Sequence, residues 1–338
     1  MEKHNFRRFI NLETLITLMW GIFIISLPFN SFPHLPAALG GKAVVRPMVI
    51  FPLVGILITV VFPKIFTERL PATIIPLMIF VLVAVGGSVF ALFRGIDPFR
   101  EVTALDRLIR SVFTLVLGAA VYLGVVFVLV RQRNLKFTLK LVYLSAAIAF
   151  GIGSLQAIYV VTRSETWFSM MSVFQRIFSI RKLFIDRVSG PTYEPNWFSD
   201  QIMLVFVPFL LAALITGYSI STKRFLRLSL EGWLLLWALI NLVMTFSRGG
   251  LAVLVPTVIL GLVFYWWMGQ NQAGYSKRQK IESLIKIAGI GILILVVLAS
   301  AVYYFGQDNK FIRQIWDWKQ GKVEVDSLAD YFFILGID

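Results

Sequence analysis

The sequence contains no cysteine and only two histidines, His4 and His34. A disulfide framework, a thiolate metal site and a cysteine nucleophile are therefore excluded, and a metal site or catalytic triad built on histidine is nearly so. Charged residues are also scarce, at 15% against about 25% in an average soluble domain, while hydrophobic residues reach 58%. With a mean hydropathy of +0.81, this composition predicts an all-α, polytopic integral membrane protein.

The net charge of +14 would suit a nucleic-acid-binding protein, but the basic residues are scattered between apolar runs and form no basic stripe. We therefore expect no nucleic-acid partner. Scattered positive charge of this kind favours membrane lipids with anionic headgroups, or a lipid substrate that carries phosphate.

The chain is built around nine apolar segments, each close to the ~20 residues that a helix needs to cross a bilayer. They predict a single integral membrane domain over residues 1–338, made of about nine transmembrane helices. The segments are Leu12–Phe29, Val44–Phe62, Ala72–Phe93, Ser111–Val130, Leu141–Val161, Gln201–Tyr218, Leu228–Thr245, Leu251–Met268 and Ile285–Phe305.

Lysine and arginine near the helix ends predict the orientation, because these residues concentrate on the cytoplasmic side. The raw count is tied, but the short loops on one side hold only seven of the 32 residues. That side is therefore predicted to be extracytoplasmic, and the N-terminus to be cytoplasmic. The outer side also carries two long segments, residues 162–200 and 306–338, which are weaker topological signals.

Residues 167–185 have the pattern of an amphipathic helix that lies at the outer membrane surface. If this helix continues to its end, Arg176 and Arg187 share its polar face. A buried re-entrant segment is the alternative. The apolar face holds Trp167, Met170, Met171, Phe174, Ile177, Phe178 and Ile185, and a similar short stretch occurs at Phe311, Ile312, Ile315 and Trp316.

A polar loop, DRVSGPTYEPNWFSDQ at residues 186–201, precedes the sixth apolar segment. Its glycine and prolines fix a tight path, and Asn196 or Ser199 is expected to cap the helix that follows. Arg187 beside the N-terminus of that helix predicts a phosphate-binding corner, because a guanidinium fork and a helix dipole both suit an anion. The alternative is a capped turn with a surface arginine.

A second motif, TFSRGGLAV at residues 245–253, joins the seventh and eighth segments almost without a loop. Such a tight turn is expected to need Gly249 and Gly250. Arg248 lies between two apolar runs on the predicted outer side, where the positive-inside tendency disfavours it, and a charge in such a place indicates a functional role. The alternative is an arginine that reaches headgroup phosphates.

Together the two motifs resemble the bacterial O-antigen ligase and O-antigen polymerase superfamily. Members of that family carry an R-x-x-G-x-x-x-x-P-N loop before one helix and an S-R-G turn between the next two. The order and spacing of the motifs and the long loop before the first one also fit, over residues 140–338. The matching residues are Arg187, Gly190, Pro195 and Asn196, then Ser247, Arg248 and Gly249.

The resemblance implies a glycosyltransferase of the bacterial cytoplasmic membrane that needs no cofactor and no metal. It would take a glycan from an undecaprenyl-diphosphate carrier and pass it, at the outer face, to a sugar hydroxyl of a glycan or lipid acceptor. Charge that develops on the diphosphate needs stabilisation, so Arg187 and Arg248 are assigned the catalytic role. Asn196 would orient the loop, and Glu194 would be a base or a structural partner. The substrate-binding residues are Gly190, Glu194, Asn196, Ser247 and Arg176.

One departure from the family concerns the end of the sequence. Members carry a catalytic histidine in a large outer loop, followed by closing helices, and neither His4 nor His34 matches that position. We expect the chain to be a fragment, inactive as it stands, of a protein that continues past Asp338 with a histidine-containing loop and a further apolar segment. A transporter or flippase of a lipid-linked substrate is the competing function, although the repeats and mid-helix acids that it would require are not evident.

Overall fold

The computed structural model describes residues 12–35, 46–67, 71–94, 103–129, 133–226 and 228–270, together with Val296, Ser300 and Tyr303. Within these residues every regular element is a helix, as the apolar runs predict. The helices are α1 (Leu12–Ser26), α2 (Ile50–Thr67), α3 (Ile74–Phe93), α4 (Ala104–Leu129), α5 (Arg133–Thr162), α6 (Glu165–Phe178), α7 (Pro195–Thr216), α8 (Leu230–Met244) and α9 (Arg248–Gln270).

Five helices of the described chain are long and apolar enough to cross a membrane, namely α2, α3, α4, α5 and α7. The apolar helices α1 and α8, and the apolar part of α9 at Arg248–Phe264, are shorter. The predicted number of nine crossings is therefore not confirmed. Its ninth segment, Ile285–Phe305, lies outside the described residues except at three isolated positions.

The chain divides into two compact units. The first comprises residues 1–27, 36–43 and 47–141, and the second comprises residues 28–35, 44–46 and 142–338. Helices α1 to α4 belong to the first unit and α6 to α9 to the second. Helix α5 begins in the first unit and ends in the second.

In the first unit, α1 packs against α2, and α2 against α4. The rings of Trp20 and Phe23 stack with their centroids 5.2 Å apart, and Trp20 Nε1 donates a 2.8 Å hydrogen bond to Thr138 Oγ1. That bond satisfies the polar atom of a buried indole. Helix α3 buries only its first residue, Ile74, and presents an apolar surface on its other faces, as a helix in contact with lipid would.

In the second unit, the C-terminal part of α5 shares an aromatic core with α7 and α8. The ring of Phe150 makes edge-to-face contacts with Phe206 at 5.4 Å and Trp237 at 5.9 Å, measured between centroids. Gly153 allows close approach, since a β-carbon there would lie 3.0 Å from the Phe198 ring. This packing fixes α5 beside the start of α7.

Helices α2 and α7 each contain a π-helical turn, at Leu57–Val61 and Ile202–Phe206. Each turn is followed within two residues by a proline, Pro63 in one helix and Pro208 in the other. Proline cannot donate the hydrogen bond to the preceding turn and its ring crowds that turn, so a widened turn accommodates it.

The predicted amphipathic helix is shorter than expected, because α6 ends at Phe178 and Ser179 is extended, with φ −141° and ψ 137°. The hydroxyls of Ser179 and Ser31 lie 2.6 Å apart, and the Ile180 N–H donates to the Ser31 carbonyl at 2.9 Å. A tertiary partner therefore takes the N–H that a longer helix would have used. The prediction that Arg176 and Arg187 share one helical face is wrong.

Helix α6 is nevertheless amphipathic. One of its faces is buried against the protein, and a neighbouring apolar stripe is exposed. Such an unpartnered stripe is what a helix at a membrane surface needs. The buried residues are Met171, Gln175 and Phe178, and the exposed ones are Met170, Val173, Phe174 and Ile177.

Candidate functional site

The loop between α6 and α7 comprises residues 179–194 and includes the first part of the polar motif at residues 186–201. It has no regular secondary structure, and the side chain of Gln156 in α5 holds it in place. Gln156 Oε1 accepts from the backbone N–H groups of Ser189 at 3.0 Å and Gly190 at 2.8 Å. Its Nε2 donates to the Gly190 carbonyl at 2.9 Å. One amide in an apolar helix therefore satisfies three backbone groups of the loop.

The same amide reaches the beginning of the loop through a second glutamine. Gln156 Nε2 donates to Gln175 Oε1 at 2.7 Å, and Gln175 Nε2 donates to the Arg181 carbonyl at 3.3 Å. Each glutamine side chain is only 1% exposed. This glutamine pair, Gln156 and Gln175, therefore connects the two ends of the loop through the interior of the second unit.

Gly190 adopts a backbone conformation that only glycine takes readily, with φ +54°. A β-carbon at this position would also lie 2.7 Å from the ring of Phe198. Both observations explain why glycine occurs at this point of the motif. Gly190 shapes the loop with its backbone and has no side chain to offer a substrate.

The start of α7 differs from the prediction, since neither Asn196 nor Ser199 caps the helix. Glu194 occupies the N-cap position without a side-chain capping bond, and Pro195 is the first helical residue. Proline is preorganised for that position and has no N–H to satisfy, so a side-chain cap is less needed. The Asn196 side chain is exposed in the first turn.

The loop also contacts the segment that follows α1. The Tyr193 N–H donates to Asn30 Oδ1 at 3.0 Å, and Gln201 Nε2 lies 3.4 Å from the Pro28 carbonyl. Both contacts lie inside the second unit. They fix the end of the loop that leads into α7.

The first motif lies beside the second because the loop pairs with the end of α8. The Val188 N–H donates to the Met244 carbonyl at 2.9 Å, and α9 begins four residues later at Arg248. Arg187, next to Val188, has a side chain that is 13% exposed. The two motifs that sequence analysis singled out thus meet in one unit of the structure.

Burial is the main influence on the pKa of Arg187, and it lowers that pKa from its ordinary value. The carboxylates of Asp186 and Glu194 act in the opposite direction, whereas the positive charges of Arg248 and Arg181 lower it further. Arginine stays protonated in proteins, so a half-buried cation lies within electrostatic reach of two others. A bound anion would be favoured at such a place.

The second motif is built differently from the prediction. The tight turn is made by Phe246, which is buried with φ +46°, while Gly249 and Gly250 lie inside the first turn of α9. Ser247 caps this helix, since its Oγ accepts from the Gly250 N–H at 3.3 Å. Arg248 is thereby fixed as the first residue of α9.

Gly250 is needed for close packing of α9 on α7. A β-carbon at Gly250 would lie 2.9 Å from Ser199 Cβ and 3.1 Å from Leu242 Cδ1, whereas one at Gly249 would meet nothing within 4 Å. Overlap of this kind typically costs about 1–3 kcal/mol. The first glycine is therefore replaceable, and the second is not.

Replacement of Gly250 with alanine is expected to lower the free energy of unfolding by about 1–3 kcal/mol. The adjacent Gly249→Ala variant is the matched control, and it should be neutral or slightly stabilising because alanine favours helix. Thermal unfolding of both purified variants in detergent measures the difference. Equal unfolding temperatures would show that α7 and α9 are not in this contact.

The structure brings most of the predicted site residues together in the second unit. The charges of Glu194 and Arg248 both act on Arg187, and Gly190 and Ser247 shape the two backbones that carry the arginines. Arg176 belongs to neither motif and is exposed in the last turn of α6. Sequence analysis missed Gln156, Gln175 and Arg181.

Comparison of the chain with protein-family models, with curated proteins and with solved structures finds no match.

Proposed function

We propose that this chain transfers a glycan from an undecaprenyl-diphosphate carrier to a sugar hydroxyl of a glycan or lipid acceptor. It would act at the outer face of the bacterial cytoplasmic membrane, as an integral membrane protein with a cytoplasmic N-terminus. The apolar helices are compatible with a membrane protein. The resemblance of the two motifs to O-antigen ligases and polymerases suggests the reaction.

The observation that carries the proposal is the hydrogen bond of 2.9 Å from the Val188 N–H to the Met244 carbonyl, which brings the motifs of Arg187 and Arg248 together in one unit. In glycan transfer, the bond between the anomeric carbon and the diphosphate breaks, and a bond from that carbon to the acceptor oxygen forms. The acceptor hydroxyl releases its proton to water, and the diphosphate leaves with additional negative charge. Two guanidinium groups can hold its oxygens bidentately and stabilise that charge as it develops.

The other predicted residues support this role to different degrees. Glu194 interacts with Arg187 electrostatically, so we assign it as a structural partner of that arginine. Gly190 and Ser247 hold the backbone on either side of the proposed diphosphate. Asn196 is exposed at the start of α7, where it can meet substrate, and Arg176 on α6 would contact headgroups or acceptor at the surface.

A transporter or flippase of the same lipid remains the competing function. It would need an ionisable group inside the helices to couple transport to an ion. Glu231, a buried acid in the first turn of α8, accepts hydrogen bonds from the Ile220 N–H at 3.0 Å and from Ser219 Oγ at 2.8 Å. Because it secures the turn between α7 and α8, it does not favour the transporter.

Reconstitution of the product of the complete gene in proteoliposomes tests the proposal. An undecaprenyl-diphosphate oligosaccharide and a sugar acceptor are supplied, and released undecaprenyl diphosphate and new glycosidic bonds are counted. Equal amounts of both products are expected from a transferase. Movement of the lipid-linked oligosaccharide between leaflets without its cleavage would identify a transporter instead.

The proposed orientation can be tested by cysteine labelling, because the chain has no native cysteine. Ser189 is unsuitable as a labelling site since it is 1% exposed, but Ser169 on α6 and Thr222 between α7 and α8 are exposed. A membrane-impermeant maleimide should label Ser169→Cys in intact cells, and Thr222→Cys only after permeabilisation. The reverse pattern would contradict an outer site.

A further inference from the structure

A cleft of about 750 Å³ opens beside the loop, a volume within the range of small-molecule sites. One continuous stretch of the loop forms most of its wall, and Tyr193 closes it. All of these residues belong to the second unit. The lining residues are Ile180, Arg181, Lys182, Leu183, Phe184, Ile185, Asp186 and Tyr193.

Arg181 is held in a fixed position in this cleft. Its guanidinium carbon lies 5.0 Å from the ring centroid of Phe184 and 4.9 Å from that of Tyr193, and Nη1 donates to Tyr193 Oη at 3.2 Å. A guanidinium has five N–H donors. Within the described residues this bond uses one of them, so the group can still bind an anionic oxygen while the rings hold its plane.

The charge of the cleft is positive on balance. Arg181 and Lys182 both line it, and the Asp186 carboxylate faces the neighbouring Arg187, with 4.0 Å between Oδ1 and Nε. Lys182 is exposed and can move toward a ligand. Two cations with a single, already engaged acid favour an anionic ligand over a neutral one.

The cleft adjoins the proposed diphosphate site. Phe184 contacts both arginines, with the guanidinium carbon of Arg181 at 5.0 Å and that of Arg187 at 5.5 Å from its ring centroid. The two guanidinium carbons are therefore within about 11 Å of each other. A substrate whose diphosphate lies at Arg187 would extend its first sugars into the cleft.

Aromatic rings provide a surface for those sugars. Tyr193 and Trp197 are both half-buried, with ring centroids 5.6 Å apart and planes tilted by 39°. Aromatic side chains with a polar tip combine apolar contact with hydrogen bonding. A sugar ring offers both an apolar face and hydroxyl groups to such a pair.

We propose that this cleft binds the glycan part of the lipid-linked substrate and selects a glycan with an acidic group, such as a uronic acid carboxylate. The inference rests on the proposed function, because it concerns the same substrate. Arg181 would bind the acid with its fixed guanidinium fork, Lys182 would add a second positive charge, and the pair of Tyr193 and Trp197 would contact the adjacent sugar.

Direct binding to the full chain, in nanodiscs of neutral phosphatidylcholine, tests the inference without any transfer reaction. The probes are an oligogalacturonate, the neutral galactose oligosaccharide of equal length, and inorganic pyrophosphate. Isothermal titration calorimetry should show the acidic oligosaccharide binding about tenfold or more tightly than the neutral one, as expected for a charge-assisted hydrogen bond.

The variants Arg181→Gln and Lys182→Gln should each remove most of this preference, while pyrophosphate binding at Arg187 and Arg248 persists. Arg224→Gln is the matched control, because Arg224 is exposed in the turn between α7 and α8, away from the cleft in sequence and structure. If Arg181→Gln proves unstable, Lys182→Gln alone decides the outcome, since its side chain is exposed.

Each result supports or overturns the inference. Equal affinity for the acidic and neutral oligosaccharides, or a preference that survives both substitutions, would overturn it. If the substitutions change oligosaccharide binding only in nanodiscs that contain phosphatidylglycerol, the inference is also overturned and the cleft is a site for lipid headgroups. Failure of pyrophosphate to bind would count against the proposed function, whereas loss of acid selectivity with pyrophosphate binding intact would count only against the cleft.

Discussion

Replacement of Arg187 or Arg248 with lysine should slow glycan transfer about 10²–10³-fold, the usual consequence of losing one charged hydrogen-bonding partner of the transition state. Lysine keeps the positive charge but lacks the planar fork that holds two oxygens at once. A surface arginine would tolerate lysine with little change. The rate of undecaprenyl diphosphate release by reconstituted protein measures the effect.

The design needs a control for folding and one for charge. Arg187 is half-buried against the Phe184 ring, so the thermal unfolding of each variant is measured alongside its rate. Arg224→Lys, a substitution of the same kind at an exposed turn, should leave the rate unchanged. If Arg187→Lys loses folded protein together with rate, the Arg248→Lys variant carries the test.

The double variant distinguishes one shared diphosphate from two separate sites. Residues that act on the same group show non-additive effects, because removal of the first partner already abolishes most of the benefit of the second. We therefore expect Arg187→Lys with Arg248→Lys to be little slower than the slower single variant. If the rate losses of the two single variants multiply in the double variant, the two arginines do not bind one leaving group together.

The helices were predictable because length and hydropathy set them locally. The segment predicted at Ala72–Phe93 became α3 at Ile74–Phe93, and Leu141–Val161 lies within α5. Ends were less predictable, since polar residues extend a helix past its apolar run, as Arg133 to Lys140 do in α5. Hydropathy identifies the apolar part of a helix that can lie in a bilayer, but it does not identify the polar turns that continue the helix.

The end of α6 could not be predicted from local sequence. The apolar pattern continues to Ile185, but the chain leaves the helix at Ser179 because Ser31, far away in sequence, pairs with the next N–H. Likewise, the glycines after Arg248 suggested a glycine turn, whereas Phe246 makes that turn and Gly250 serves interhelical contact. Both differences arise from tertiary neighbours that periodicity does not report.

The arginines of the candidate site could be predicted from the sequence, but the residue that holds their loop in place could not. Arg187 stood out in a polar loop beside the N-terminus of a predicted helix, and Arg248 as a charge between two apolar runs, which is an unusual place for one. Gln156 gave a signal of the same type, as a polar amide within the apolar run of α5, but an uncharged side chain is less conspicuous. The importance of Gln156 follows from its hydrogen bonds to the loop, which only the structure shows.

Replacement of Gln156 with leucine is expected to have the largest effect on stability of any change considered for the second unit. The Ser189 N–H, the Gly190 N–H and the Gly190 carbonyl would all lose their partner inside the protein. An unsatisfied buried polar group costs about 1–3 kcal/mol. Three such groups would lower the free energy of unfolding by several kcal/mol or release the loop from α5.

Hydrogen exchange measured by mass spectrometry separates these two results. If the loop is released while the helices stay folded, exchange should rise in residues 186–194 and remain slow in α7 and α8. Pyrophosphate affinity should fall at the same time, since Arg187 lies two residues before Ser189. Thr162→Val is the control, because it removes a polar group from the same helix where the hydroxyl is exposed and donates to the Ile158 carbonyl.

The Gln156→Glu variant tests which half of the amide matters. Glutamate keeps an oxygen that can accept from the Ser189 and Gly190 N–H groups, but it lacks the Nε2 donor to the Gly190 carbonyl and to Gln175. We expect exchange between that of the wild type and that of Gln156→Leu, with the beginning of the loop near Arg181 more affected than Gly190. Wild-type exchange in both variants would mean that the glutamine pair does not position the arginine.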